Sequence, residues 1–153
     1  MHIGKNINSF YKTGVFDEII VVDNNSSDNT AEEIMKTSAT YLIEKKQGYG
    51  AALRKGMENT KFDYIVLCEP YSTFYPNDIF KFLSYIDDFD CIFGTRTTKA
   101  LIKDGAKMQF YLRIGNILVA KLLEYIFFGP TLSDVGCTYK VISRDSYNKI
   151  RDD

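Results

Sequence analysis

Four apolar β-branched residues, Ile19 to Val22, run straight into Asp23 and a polar loop of Asn, Ser and Asp. Such a run predicts a strand buried on both faces, as in a parallel sheet. Ahead of it, Ile3, Ile7 and Phe10 stand at helical spacing, so residues 3–13 read as a helix that Gly14 ends. After the polar loop, Thr30 with Glu33 three residues on reads as a capping box opening a helix to Ser38. Tyr41 to Glu44 is a short strand, and the turn Gly48-Tyr49-Gly50 leads into a helix reaching Asn59. Tyr64 to Cys68 repeats the buried-strand pattern. Pro76 to Phe89 reads as a helix and Cys91 to Phe93 as a strand ending at Gly94. Residues 97–108 are polar, lysine-bearing and irregular. A long helix over 109–128 is stopped by Gly129-Pro130, then a strand over Val135 to Ile142 and a helix over Arg144 to Arg151 close the pattern.

This alternation, without repeats or linkers, predicts one α/β domain over residues 1–153, a three-layer α/β/α sandwich. It opens on a helix, where a doubly wound domain ordinarily opens on a strand. The ends of the apolar runs put Asp23, Asn24 and Asn25 at the carboxyl end of a strand, where ligands bind in open α/β sheets. Asp28 and Thr30 read as helix caps.

Composition narrows the chemistry. Among 153 residues, 45% are hydrophobic and 25% charged, and the net charge is −1. No overall field favours nucleic acid. The single histidine, His2, and three scattered cysteines without a CxxC pair exclude a histidine zinc site and a Ser-His triad. Free thiols point to a reducing, cytoplasmic setting. No signal peptide is visible at Met1, and no run reaches the ~20 apolar residues of a membrane span. The nearest, Ile117 to Phe128, is interrupted by Lys121 and Glu124.

The ordered set VVDNNSSDNT, KKQGYGAALRKG, ExY…YP, GTR, RxGN and SDVGCTYK resembles the family-2 glycosyltransferases of GT-A fold. It looks closest to the polyprenyl-phosphate branch that includes dolichol-phosphate mannose synthase. The resemblance runs from residue 3 to about 150 and implies a nucleotide-diphospho-sugar transferase fold. It implies sugar transfer with inversion from a UDP- or GDP-linked donor to polyprenyl (dolichyl) phosphate. It assigns Asp23, Asn24 and Asn25 to the base and ribose, and Gly48, Gly50 and Arg54 to the nucleotide beside a helix N-terminus. Where the family has Asp-x-Asp, this chain has Glu69-Pro70-Tyr71. Glu69 can ligate Mg²⁺ or Mn²⁺, but a neutral Tyr71 phenol on the donor side is a poor ligand, so the metal is expected to be weakly bound if at all. Arg96, and Arg113 in RIGN, match arginines that hold the acceptor phosphate. Asp134 matches an acid beside the acceptor, there to deprotonate it or to orient an acceptor already ionised. Lys140 stands where the family has Arg.

The family opens on a central strand with a Pro-x-(Tyr/Phe)-Asn-Glu type motif, and this chain starts after it. The fold is therefore expected to be N-terminally truncated: either the chain is part of a larger protein, or it is a reduced relative whose missing strand a partner chain or a homo-oligomer could supply. The alternative function is a non-catalytic binding or partner subunit. A third, another nucleotide-binding α/β domain, is weakened for NAD by the missing GxGxxG. Lys99, Lys103 and Lys107 ahead of a helix bearing Leu118, Leu122, Tyr125 and Ile126 predict peripheral contact at the cytoplasmic face of a membrane.

Overall fold

The computed structural model describes residues 3–70, 74–96 and 110–151. Helix α1 (Ile3–Tyr11) turns Ile3, Ile7 and Phe10 inward, as their spacing requires. Strand β1 (Ile20–Asp23) lies parallel to β2 (Thr40–Ile43), with Ile20 opposite Thr40 and Asp23 opposite Ile43. Helix α2 (Thr30–Met35) joins them. Helix α3 (Tyr49–Asn59) leads to β3 (Tyr64–Leu67). A 3-10 turn, Pro76–Asp78, opens the short helix α4 (Ile79–Leu83), which precedes β4 (Cys91–Phe93). Helix α5 (Phe110–Phe127), β5 (Lys140–Ser143) and α6 (Arg144–Ile150) complete the order. Strands β3 and β4 both pair antiparallel with β5, in the order β3-β5-β4.

Alternation along the strands sorts side chains into two covering layers. On one face, Ile19 and Val21 pack with Ile3, Ile7 and Ile34. Val66 and Val141 lie on that face too, with Phe10, Ile79, Phe82 and Tyr139. On the other face, Ile65, Leu67 and Ile142 pack with Met57 and Tyr147. Gly56, next to Met57, lies so close to Val22 that a Cβ would come within 3.3 Å of its methyl. Helices α1 and α3 therefore each cover both sheets, from opposite sides, and the three layers expected from the sequence are present.

The sheet itself departs from expectation. Among the described residues there are two sheets, of two and three strands, and β5 is antiparallel to its neighbours. Each of β1 and β3 is paired along one edge only among the described residues. Ile20, Val21 and Val22 are accordingly half-buried, not enclosed on both faces. Three element bounds also differ. The capping box at Thr30 does not form: Glu33 pairs with Lys36, Asp28 accepts the Thr30 N–H, and α2 stops at Met35. The helix expected over 76–89 is only five residues of α after its 3-10 turn, and the Ser84 hydroxyl returns to the Phe80 carbonyl at its end. The last strand begins at Lys140, since residues 134–136 form a turn in which Gly136 N–H donates to Asp134.

One side chain fastens α3 to the second sheet. The Arg144 guanidinium donates to the carbonyls of Met57, Thr60 and Phe62 at the end of α3, and its backbone N–H donates to Asp63. The Met57 carbonyl is one of those a helix end leaves without an intrahelical partner. Arg144→Met keeps the stem and removes the donors. It should cost about 2–3 kcal/mol, since hydrogen bonds from a charged group are individually worth ~1.5–3 kcal/mol, read as a lower urea midpoint with the slope unchanged.

Candidate functional site

The carboxyl end of β1 is fixed before any ligand arrives. Asp23, 9% exposed, accepts from Ser26 N–H at 2.8 Å on Oδ1 and from the Tyr41 hydroxyl at 2.8 Å on Oδ2. Burial pushes its pKa up, but the bonds from Ser26 and Tyr41 outweigh that and hold it below the usual carboxylate range. Asn24 donates from Nδ2 to the carbonyls of Glu44 and Lys46 at 2.7 and 2.8 Å, and its Oδ1 accepts Gly48 N–H at 2.8 Å. Its amide is engaged with backbone and clamps β1 to the loop that opens α3. Asn25 is exposed at φ 71°. Gly48, at φ 136°, adopts a backbone that only glycine takes without strain, and around Gly50 a Cβ would meet nothing within 4 Å. Arg54 does not join this cluster. It sits on the exposed side of α3, more than a turn into the helix, and only partly offsets the burial that pushes the Tyr147 phenol up.

Tyr49, between the two glycines, was not singled out by sequence reasoning. Burial raises its phenol pKa first and Glu69 raises it further, while the Thr138 hydroxyl acts the other way. The charge at the end of β3 and the hydroxyl ahead of β5 therefore both act on Tyr49. The signal was an aromatic residue inside a Gly-x-Gly turn. Next to Glu69, burial pushes the Cys68 thiol up to about 12, so it is a packing residue and not a nucleophile. Tyr71 lies outside the described residues, as do Lys99, Lys103 and Lys107.

The second half of the site is an ion pair. Asp134 Oδ2 accepts Arg96 backbone N–H at 2.9 Å and Arg96 Nε at 3.0 Å, and Oδ1 accepts Arg96 Nη2 at 3.2 Å and Gly136 N–H at 3.1 Å. The Asp134 side chain is 0% exposed and that of Arg96 31%. The bond to Asp134 raises the Arg96 pKa still further. Beside the pair, the hydroxyls of Thr95 and Ser133 are 3.0 Å apart. A Cβ on Gly136 would lie 3.0 Å from Asn116 Oδ1 and 3.2 Å from Arg96 Nη2. Asn116 thus brings α5 to the same spot, and Arg113, three residues earlier on that helix, shares its face. Asn116 is a second residue the sequence reading passed over, although it closes the RIGN motif. A carboxylate offers about four lone-pair sites, and at Asp134 four donors fill them without an opening to solvent.

For a divalent cation the donor set is thin. Among the described residues no three His, Cys, Asp or Glu side chains gather, Asp134 is committed to Arg96, and Glu69 is left as one carboxylate. Helix α5 is largely uncovered, with Tyr111 83% and Tyr125 79% exposed, and Phe128 just beyond it 93%. No helix among the described residues is long and apolar enough to cross a membrane.

The family model for Glycosyl transferase family 2 matches residues 3–151. The chain is 27% identical over 135 residues to the low-salt glycan biosynthesis hexosyltransferase Agl6 of Haloferax volcanii, covering 87% of this chain and 32% of that protein. It is 25% identical over 141 residues to glycosyltransferase AglJ of the same organism, covering 91% and 45%. It therefore spans less than half the length of either. The crystal structure of Mycobacterium tuberculosis glucosyl-3-phosphoglycerate synthase superimposes with a TM-score of 0.67 at 18% identity, over 94% of this chain and 53% of the other. The same synthase with Mn²⁺, UDP and phosphoglyceric acid gives 0.64 at 18%, over 94% and 51%.

Proposed function

Because this chain belongs to glycosyl transferase family 2 and has its GT-A fold, we propose that it moves a hexose from a UDP- or GDP-linked donor to polyprenyl phosphate. The observation that carries the acceptor is the meeting of Arg96 and Asn116 at the inner side of an uncovered apolar helix. A phosphate suits the guanidinium and a hydrocarbon tail suits α5. A phosphate acceptor is also mostly dianionic at neutral pH, its second pKa being about 6. It needs no base, which agrees with an Asp134 already filled by four donors. A hydroxyl acceptor would need one.

In this reading an acceptor phosphate oxygen attacks the anomeric carbon as the bond to the donor diphosphate breaks, and the nucleoside diphosphate leaves with inversion at carbon. Asp23 and Asn25 face the nucleoside, Gly48 and Gly50 let backbone approach the diphosphate, and Arg96 with Arg113 holds the acceptor. Glu69 is the residue to hold Mg²⁺ or Mn²⁺, which supplies charge neutralisation on the diphosphate when bound. With a single carboxylate among the described residues, Glu69 would leave most of the cation's ligands to the nucleotide. The test is transfer from UDP-glucose or GDP-mannose to citronellyl phosphate. Product that forms with either donor, and Mn²⁺ that binds measurably only once nucleotide is present, support the proposal. Tight Mn²⁺ binding without nucleotide would contradict the Glu69 assignment.

A second reading, a non-catalytic partner subunit, is favoured by the edges of β1 and β3 that have no strand partner among the described residues. There a strand from a partner chain or a second copy would complete the sheet, and no transfer would be found without it.

The setting we propose is the cytoplasmic face of a membrane. Tyr125, Phe127 and Phe128 at the end of α5 insert, and the lysines ahead of it meet anionic lipid at ~1 kcal/mol each. Liposome co-sedimentation should show binding to anionic vesicles several-fold above neutral ones. Tyr125→Ser with Phe128→Ser should lower both. Equal binding to the two vesicle types removes the electrostatic part.

A further inference from the structure

We infer that Asp134 acts through Arg96, as the residue that aims the guanidinium, and that Gly136 supplies the clearance this aim requires. The inference deepens the acceptor reading above and rests on it for the identity of the anion. Asp134 binds Arg96 at the backbone N–H, at Nε and at Nη2, so it fixes both where the arginine starts and which way its fork points. An unanchored arginine loses rotamer freedom on gripping an anion, and an anchored one has lost it already. Asp134 is wholly buried, while the Arg96 side chain is 31% exposed, so the outer N–H groups of the fork are the part a ligand reaches. Gly136 closes the device from behind. Its N–H donates to Asp134, and any Cβ there meets both Asn116 Oδ1 and Arg96 Nη2 inside ordinary contact distance. A side chain at 136 must therefore push one of them away.

The sign of one effect separates this role from the alternatives. Asp134 is an anion beside a site for anions. If it did nothing but stand there, or if it were a base, Asp134→Asn would leave phosphate binding unchanged or tighter. If it aims Arg96, the same change must weaken binding. The probe is citronellyl phosphate, titrated by calorimetry. We expect Asp134→Asn to weaken it at least tenfold and Gly136→Ala several-fold, with UDP affinity unmoved in both. In an Arg96→Ala background, Asp134→Asn should weaken it no further, since the path through Arg96 is gone.

A second readout needs no ligand. The Arg96 Nε–H resonance, assigned by its loss in Arg96→Lys, should exchange slowly in the parent and rapidly in Asp134→Asn. Unchanged or tighter phosphate binding in Asp134→Asn, an undiminished effect in the Arg96→Ala background, or an Nε–H unaffected by Asp134→Asn would each overturn the inference. If the parent binds no citronellyl phosphate while the Nε–H still depends on Asp134, the acceptor reading fails and the positioning role stands. If Asp134→Asn does not fold, Gly136→Val decides, because it keeps every charge while its branched side chain is too large for Asn116 alone to clear. Parental phosphate binding by that variant would sink the proposal.

Discussion

Replacing Arg96 with alanine should cut transfer to polyprenyl phosphate by roughly 10²–10³-fold, about 2.7–4 kcal/mol in the barrier, the range for removing one preorganised donor from a reacting anion. Nucleotide affinity should stay within about twofold, because Asp23, Gly48 and Gly50 belong to the other half of the site. The same change has a second consequence. It leaves Asp134, 0% exposed at its side chain, with two backbone N–H partners and no counter-charge. Removing one member of a buried pair typically costs 3–5 kcal/mol of stability. Arg96 is about a third exposed, so solvent reaches the pair and the lower end of that range is expected. Arg96→Lys separates the two effects: it keeps the charge and part of the stability but loses the fork, and about a tenfold loss of transfer is expected. Initial rates against acceptor concentration, with urea denaturation of each variant, give the answer. Parental acceptor rates in Arg96→Ala would remove this arginine from the site.

Local pattern located the elements, and distant contacts decided their roles. Ile19 to Val22 and Tyr64 to Cys68 announced strands because β-branched runs ending at polar residues have few other uses. Their ends gave Asp23 and Glu69. What the pattern could not carry was the partner of each side chain. Asn24 read as a ligand contact because nothing near it in sequence needs its amide. Its three partners are 20 to 24 residues away. Asp134 read as a free acid for the same reason, with Arg96 lying 38 residues upstream. That pairing also explains the misplaced start of the last strand, since Gly136 N–H turns back to Asp134 and does not enter a ladder. Tyr49 was hidden by its neighbours: the two glycines explained the turn, and the aromatic between them looked incidental.

A strand placed between β1 and β3 should raise the thermal midpoint by roughly 10 °C, taking a net gain on the order of 3–5 kcal/mol and 2–4 °C per kcal/mol for a domain of this size. The gap is inferred from the helices. Helix α1 contributes Ile3 and Ile7 to the β1 side and Phe10 to the β3 side of one layer. Helix α3 does the same on the opposite face, with Gly56 against Val22 and Met57 beside Ile65. Two sheets held under the same pair of helices present their unpaired edges to a common space, and open edges carry unmet N–H and C=O groups. An occupant covered on both faces must be apolar throughout, so a Val/Ile strand is the fitting chemistry. Fused ahead of α1 by a short linker, such a strand reaches β1 through α1 in a right-handed crossover, the hand that parallel connections take. Its ladder bonds contribute ~0.5–1.5 kcal/mol each and its buried side chains ~1.5–3 kcal/mol each, against ~1–2 kcal/mol per residue for ordering the backbone. A proline at the centre of the same strand removes a ladder donor and should abolish the gain. Donor affinity should rise with stability, because the strand ties the Asp23 loop to Glu69. If the fused strand leaves the midpoint where it was, or the proline version works equally well, the gap is not a strand site. The partner-chain reading then loses its support.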